Sequence, residues 1–412
     1  MRSNPDMNDP RACPTEQFIA QLREKYPVET EVDAVLTRKL LNRAKRQEAY
    51  RPISLEELIA ATKTFVATKI GEQFELSDAR WLSGGASMLQ MAFTLTTESD
   101  HADLPAGSHA MVLRMSPMEP VVETSFKRES EIIKVVKEHD LLPVAESYWI
   151  DETGAYLPYP AIVYGFVSGV AKPSAAPSEQ VTGIGLNFGP ELRKKLAPEA
   201  VKQIANLHKF DASGQAIPGF DPIKAGSNAS VIKEINWWQR VWEEDRGEDE
   251  PLIQIAANWL KNNAPAVDHV SIVHNDLRSG NFLFDEDSAS ITAWLDWELV
   301  SLGDRHQDLG WLLAYQFGHF SEDGSTFLAS GLMPTDELLA LYEQETGMSV
   351  CQDRLKYYDV LNTWKAAIIV MGTGYRVAKG GKTHQDVVVS WLAGIGYLVL
   401  SNLQRALAEV TQ

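Results

Sequence analysis

The sequence is poor in cysteine and lacks any long apolar run. Its 412 residues contain two cysteines, Cys13 and Cys351, far apart and without the spacing of a metal site. A disulfide framework is therefore not expected, and two reduced thiols are typical of a cytoplasmic protein. No uninterrupted apolar run approaches the roughly 18 residues that a membrane-spanning helix needs. The first 17 residues lack the apolar segment of a signal peptide. We therefore expect a soluble, cytoplasmic protein with no membrane partner.

Basic residues are also in the minority. The chain has 38 Lys and Arg against 56 Asp and Glu, a formal net charge of −18 and a pI of about 5.0. This balance argues against a nucleic-acid partner, and acidity this general mostly indicates a well-solvated surface. Apolar residues make up 44% and charged residues 23%, as in ordinary globular proteins.

Three regions of different character follow one another along the chain. Residues 1–70 are predicted to form an N-terminal helical extension, with a disordered Pro-, Asn- and Asp-rich start over residues 1–14. Residues 71–167 contain short β-forming runs bounded by Gly, Ser and Pro, with one helix among them. Residues 168–412 pass through a Pro- and Ser-rich linker and are then helical apart from one hairpin.

This order indicates an α+β fold with two lobes, a small antiparallel-sheet lobe and a larger, mostly helical one. A cleft between such lobes is a natural ligand site. The helices of the larger lobe are rich in tryptophan, and these side chains either line a substrate pocket or, more simply, pack in the core. They are Trp237, Trp238, Trp242 and Trp364.

The segment "VHNDLRSGNFLFDEDSASITAWLDWE", residues 273–298, has polar side chains around two short apolar runs. The runs 282–285 and 291–295 predict two strands joined by a polar turn. The start of the first arm and the end of the second lie side by side in a hairpin. Asn281 and Asp296 should therefore be neighbours, with Asp276 just upstream. Three oxygen-bearing side chains at one point suit a hard cation and a phosphate.

Each polar residue of this segment has a functional and a simpler interpretation. Asp276 can accept a proton from an attacking hydroxyl while Asn281 holds a metal, or the two form an Asx-turn with a capping Asn. Asp296 beside apolar residues favours a compensating cation, the alternative being a solvent-facing strand end. Arg278 either stabilises a transferring phosphoryl group or faces solvent. His274 is expected to brace the loop through its ring nitrogens rather than act as a base.

The smaller lobe contains a glycine-rich segment between two predicted strands, "LSGGASM". Adjacent glycines allow close approach of a phosphate, and serine hydroxyls and free N–H groups can cradle its oxygens. A Gly-Gly hairpin turn explains the segment equally well. The residues concerned are Ser83, Gly84, Gly85, Ala86 and Ser87.

Other charged residues allow similar pairs of interpretations. Arg114 on a strand and Glu129 on the following helix either pair to fix nucleotide phosphates or lie separately on the surface. Asp304 is interpreted as a helix N-cap, and Asp308 as an acceptor for backbone N–H groups of the loop around Asp276. The tail of a P-loop signature at residues 381–383 lacks the required first glycine, so a P-loop is not expected.

Together these residues resemble the protein-kinase-like phosphotransferases, and more narrowly the aminoglycoside phosphotransferase and choline kinase family. The specific part is "HNDLRSGN" followed by "LDWELVSLGDRHQDLG". The resemblance implies a bilobal protein-kinase-like fold, Asp276 as the catalytic base, and Asn281 and Asp296 as Mg²⁺ ligands. It implies ATP (GTP being open), a small hydroxyl substrate, and a monomer or homodimer. It further implies that the glycine-rich loop covers the nucleotide phosphates. The hinge that recognises the nucleotide base would be formed by Tyr164, Gly165, Phe166 and Val167.

One departure from the family pattern is an arginine, Arg114, where protein kinases place lysine. A guanidinium can still clamp phosphate oxygens. A regulator that binds nucleotide without transfer is the alternative, although a pure binder has no need for Asp276. A helical interaction protein is a third possibility. The extension is interpreted as a lid, a dimer contact or a brace.

Overall fold

The computed structural model describes residues 9–45, 52–82, 88–102, 104–117, 120–174, 185–380 and 394–411. Its helices are α1 Glu16–Lys25, α2 Thr30–Lys45, α3 Leu55–Ile70, α4 Phe126–Glu138, α5 Gly189–Lys209, α6 Ala229–Asp245, α7 Pro251–Asn262, α8 His306–Leu312, α9 Thr335–Thr346, α10 Gln352–Ile368, α11 Tyr375–Gly380 and α12 Gly396–Thr411. Its strands are β1 Phe74–Trp81, β2 Leu89–Thr97, β3 Gly107–Met115, β4 Ser147–Asp151, β5 Ala161–Gly165, β6 Ser271–Val273, β7 Phe282–Asp285, β8 Ser290–Trp294, β9 Ser301–Gly303, β10 His319–Phe320, β11 Phe327–Ala329 and β12 Met333–Pro334.

The smaller lobe is a five-stranded antiparallel sheet in the order β1-β2-β3-β5-β4. Alternate residues of its strands face opposite sides. Val163 of β5 belongs to the cluster that contains Phe65 of α3, whereas Ile162 belongs to the cluster that contains Ile132 of α4. The sheet is therefore covered by α3 on one face and α4 on the other, and the predicted α+β architecture is confirmed.

The larger lobe is mostly helical, and its tryptophans form its core. Trp238 is 1% exposed, and Trp364 is fully buried with its indole N–H donated to the carbonyl of Ile253 at 2.9 Å. Trp237 and Trp242 belong to the same buried cluster. Of the two interpretations, core packing is the one observed for these four side chains.

The predicted hairpin is present as β7 and β8, with Phe282 opposite Trp294. The adjoining backbone N–H of Leu295 donates to the carbonyl of Asn281 at 2.8 Å. Two further small sheets are present, one of β6 with β9 and one of β10, β11 and β12, and the pairing of these strands was not predicted. Their strands have two or three residues, too few to show an alternating pattern.

The N-terminal extension forms α1, α2 and α3, with the capping box of Ser54 and Glu57 in place. Residues 1–8 of the segment predicted to be disordered lie outside the described residues. Just after them, the Arg11 guanidinium donates to the carbonyl of Glu243 at 3.0 Å. None of the helices within the described ranges is long and apolar enough to cross a bilayer.

Candidate active site

The hairpin and the loop before it bring the three predicted oxygen-bearing residues together. The amide nitrogen of Asn281 donates to the Asp276 carboxylate at 2.6 Å and to its carbonyl at 2.8 Å. Asp296 lies beside Asn281 because the strand register pairs the two ends of the hairpin. Its φ of 62° is left-handed, and its side chain remains 43% exposed. The Asp296 carboxylate is therefore accessible to a ligand.

The Asp276 carboxylate is held in a fixed orientation by three donors. The indole N–H of Trp311 donates to Oδ1 at 2.7 Å, and Arg278 Nε donates to the same oxygen at 3.3 Å. Asn281 binds Oδ2. Trp311 was missed in the sequence, although it lies three residues after Asp308 on α8, a spacing that puts two side chains on neighbouring parts of one helix face.

The loop that carries Asp276 is braced from behind. The Asp308 carboxylate accepts hydrogen bonds from the backbone N–H groups of His274 and Asn275, both at 2.7 Å. His274 donates through Nε2 to the carbonyl of Leu295 at 2.8 Å. The predicted bracing roles of His274 and Asp308 are confirmed. Asn275 has a left-handed φ of 68°, so the brace also maintains a sparsely populated backbone conformation.

Asp304 lies one residue before Arg305, which is the N-cap of α8. Its carboxylate nevertheless accepts from the backbone N–H of His306 at 3.0 Å. The predicted contribution to the helix start is therefore observed one residue away from the expected position.

Arg114 and Glu129 form a buried ion pair instead of lying separately on the surface. One guanidinium nitrogen of Arg114 donates to Glu129 at 2.5 Å. The other donates to Asp296 at 2.9 Å and to Glu298 at 2.6 Å. Burial alone would lower the pKa of Arg114, but the three carboxylates raise it well above its ordinary value. This arginine is permanently charged and joins the sheet, α4 and the hairpin end.

Negative charge is in excess around Arg114. Burial raises the pKa of Glu298 to about 8, opposed by Arg114 and reinforced by Asp296, Glu129 and Asp276. A divalent cation would relieve such an excess. The side chains that face the cleft fit Mg²⁺, because a carboxylate and an amide oxygen are hard ligands that leave positions for water and phosphate. In the described part of the chain, no group of three or more His, Cys, Asp or Glu forms an all-protein metal cage.

The residues predicted to bind the nucleotide are only partly described. Ser83, Gly84, Gly85, Ala86 and Ser87 lie outside the described residues, as do residues 381–383 with the P-loop-like tail. Of the predicted hinge, Tyr164 is buried and Gly165 ends β5. Phe166 is 41% exposed and donates its backbone N–H to the carbonyl of Ala110 at 2.9 Å, and Val167 is half-buried. That this hinge recognises the base of the nucleotide stays a prediction.

Lys365 is a second residue that the sequence reasoning missed. It is 1% exposed, and its ammonium lies 3.3 Å from Oδ1 of Asn275. The nitrogen also lies 6.0 Å and 5.6 Å from the ring centroids of Trp238 and Trp311. Burial lowers the pKa of Lys365, although nearby carboxylates oppose the effect. A single cation in the otherwise apolar stretch "WKAAIIV" was the signal that could have revealed it.

A two-lobed fold with this loop and hairpin arrangement is a kinase-like fold. The chain belongs to the APH phosphotransferase enzyme family, whose model matches residues 92–339. A structure from Ralstonia eutropha, provisionally described as an aminoglycoside phosphotransferase, is similar with a TM-score of 0.60. It is 21% identical and covers 85% of this chain and 98% of its own.

The curated relatives are longer proteins that are named as acyl-CoA dehydrogenases. "Acyl-CoA dehydrogenase family member 11" of Gallus gallus is 27% identical over 195 residues, 45% of this chain and 25% of the relative. "Probable acyl-CoA dehydrogenase IBR3" of Arabidopsis thaliana is 23% identical over 323 residues, 71% of this chain and 37% of the relative. The matched part of the chain thus spans 25% to 37% of the length of these relatives.

Proposed function

We propose that the protein transfers the γ-phosphate of ATP to a hydroxyl group of a small molecule. The observation that carries this proposal is the convergence of Asp276, Asn281 and Asp296 opposite the Arg114–Glu129 pair. Family membership supports phosphate transfer, and the arrangement of these residues supplies a base, a metal-ligand pair and a permanent cation in one place.

Asp276 is the proposed catalytic base. The hydroxyl oxygen of the acceptor attacks the γ-phosphorus while its proton passes to the Asp276 carboxylate. The bond from the γ-phosphorus to the bridging oxygen breaks, and ADP leaves with that oxygen. Trp311 and Asn281 hold the carboxylate in place, and Arg278 is close enough to stabilise the charge on the transferring group.

Asn281 and Asp296 are the proposed ligands of Mg²⁺, which when bound neutralises charge on the nucleotide phosphates. The nitrogen of Arg114 that donates to Asp296 and Glu298 is the one proposed to bind phosphate oxygens. Glu129 keeps the guanidinium at the base of the cleft through the 2.5 Å bond to its other nitrogen.

The acceptor is proposed at the level of its class, a small molecule with a free hydroxyl. The strongly acidic chain favours neutral or cationic acceptors, such as amino alcohols, sugars and aminoglycosides. The names of the curated relatives mention acyl-CoA, so the panel of acceptors also includes acyl thioesters that carry a free hydroxyl group.

Nucleotide binding is the first test. Thermal-shift and calorimetric titrations with ATP and GTP, each with and without Mg²⁺, should show Mg²⁺-dependent stabilisation. A purely helical interaction protein would show no nucleotide binding.

Release of ADP across the acceptor panel is the second test, with Asp276→Asn as the negative control. Binding of Mg·ATP without ADP release from any acceptor would favour a regulator. Full turnover by Asp276→Asn would overturn the assignment of the base.

A further inference from the structure

The start of α2 contacts the N-terminal end of α4, the helix that carries Glu129. Glu29, just before α2, forms a 2.6 Å ion pair with Arg128. Glu31 accepts a 2.9 Å hydrogen bond from the hydroxyl of Ser125, the N-cap of α4. The extension therefore binds α4 at its first turn, through both its N-cap and a buried arginine.

The same helix α2 is anchored to the larger lobe by ion pairs along its length. Asp33 pairs with Arg240 of α6 at 2.5 Å, and Arg240 is fully buried. Further along α2, Lys39 and Arg43 pair with Asp245 of α6 at 3.0 Å and 2.8 Å. Ion pairs that are withdrawn from solvent are screened much less than surface pairs. α2 thus has a fixed position on α6 and presents Glu29 and Glu31 to α4.

Arg128 connects this contact to the hairpin end of the active site. Its second terminal nitrogen donates to the carbonyl of Val300 at 3.1 Å, two residues after Glu298. The guanidinium also lies 4.1 Å from the ring centroid of Phe220, and the side chain is 4% exposed. Four separate parts of the chain therefore meet at one buried guanidinium, namely the segment before α2, α4, the segment between α5 and α6, and the segment after the hairpin.

Neighbouring residues of α4 face different partners. Consecutive side chains on a helix point about 100° apart, so Arg128 faces the extension while Glu129 faces Arg114. A shift of α4 that breaks the contacts of Arg128 also moves Glu129 away from Arg114, because both side chains belong to the same turn. Such a shift would lengthen the hydrogen bond between Arg114 and Glu129.

We propose that Glu29, Glu31 and Arg128 form a clamp that positions α4, and through Glu129 positions Arg114 to bind nucleotide phosphates. The extension is then a brace built into the nucleotide site, and Glu29 and Arg128 are positioning residues. The phosphate-binding part of this inference rests on the proposed function, whereas the clamping of α4 does not.

The test uses the full chain and two readouts. Variants Glu29→Gln, Arg128→Met and Arg128→Lys are compared with Asp268→Asn, which removes a carboxylate paired with Arg305 and Arg354 of the larger lobe. Amide hydrogen exchange of residues 126–138 reports how readily α4 opens locally, and therefore how firmly it is held. Calorimetric titration with Mg·ATP reports the phosphate site, and thermal melting allows variants to be compared at similar losses of stability.

The clamp predicts faster exchange in α4 for Glu29→Gln and Arg128→Met. It also predicts that the affinity for Mg·ATP falls about fivefold in Glu29→Gln and about tenfold in Arg128→Met. The tenfold loss equals ~1.4 kcal/mol. Arg128→Lys should recover part of the affinity, since it keeps the charge opposite Glu29. Asp268→Asn should change neither readout.

Each other outcome overturns a stated part of the inference. Unchanged α4 exchange in Glu29→Gln and Arg128→Met would exclude the clamp. Faster exchange with unchanged affinity would reduce the clamp to a structural brace and exclude the positioning of Arg114. Failure of the unmodified protein to bind Mg·ATP would instead exclude the proposed function, while the exchange data would still decide whether the clamp exists.

Discussion

The indole N–H of Trp311 points at the Asp276 carboxylate and donates a 2.7 Å hydrogen bond to its Oδ1 atom. Asn281 binds the other carboxylate oxygen at 2.6 Å. With both oxygens held, the carboxylate cannot rotate freely. Under the proposed function, an acceptor hydroxyl would meet it in one orientation. Preorganisation of this kind lowers the cost of reaching the transition state.

Replacing Trp311 by Phe should reduce kcat about ten- to hundredfold, because a hydrogen bond to a charged group contributes on the order of 1.5–3 kcal/mol. The aromatic ring is kept, so its packing against Phe317 is largely retained. Affinity for Mg·ATP should stay the same. Steady-state ADP release measures the effect, with Trp259→Phe as a matched substitution at a tryptophan that packs on Tyr357 instead. An unchanged kcat in Trp311→Phe would show that the indole N–H does not position the base.

Replacing Asp276 by Asn should abolish most of the transfer while nucleotide still binds. Loss of a general base typically costs about 10²- to 10⁴-fold in rate. The Arg114 cluster and Asp296 are unchanged in this variant, so calorimetry should give Mg·ATP affinity close to that of the unmodified protein. Asp287→Asn, in the exposed turn of the same hairpin, serves as the control and should keep full turnover.

Replacing Arg114 tests its two roles separately. Arg114→Met leaves Glu129 and Glu298 buried without their cation, and breaking a buried pair in this way costs about 3–5 kcal/mol of unfolding free energy. Arg114→Lys keeps a charge but cannot bind Glu129 through one nitrogen and phosphate oxygens through another. It should therefore fold but bind Mg·ATP about tenfold more weakly, a loss of ~1.4 kcal/mol. Denaturant unfolding and calorimetry measure the two effects, and equal affinity in the Lys variant would contradict the phosphate role.

The active-site loop was predictable because its information is local. The spacing of Asp276, Asn281 and Asp296 around two short strands determines a hairpin, and a hairpin determines which residues are neighbours. The strands of the five-stranded sheet were predictable for the same reason, since they are short runs of β-forming residues bounded by turn residues.

Contacts between distant elements could not be read in this way. Trp311 and Lys365 reach the loop around Asp276 from α8 and α10. On α8 the predicted contact of Asp308 indicates the helix face that also carries Trp311. On α10 the sequence marks Lys365 only as a single cation in an apolar stretch and does not indicate what it contacts. Glu29 is a similar case, because it meets Arg128 across 99 residues. Such pairs depend on how the elements pack together, which single-sequence patterns do not specify.

Acid should destabilise the larger lobe through Asp304. Despite its burial, the pKa of Asp304 is lowered to about 2 by His306, which donates to it at 2.6 Å, and by Arg354. The folded-state pKa lies below the unfolded value of about 3.9. The stabilisation that the ionised Asp304 contributes is therefore complete above pH ~3.9. It is lost as the pH falls through the folded-state pKa. The contribution is about 2 kcal/mol.

Denaturant unfolding of the unmodified protein at pH 6 and at pH 3 measures this dependence. Asp304→Asn should lower stability at pH 6 and flatten the pH dependence between the two conditions, because the amide has no proton to gain. Glu152→Gln, at an exposed position after β4, should leave the slope unchanged. A slope in Asp304→Asn as steep as that of the unmodified protein would mean that other carboxylates account for the acid sensitivity.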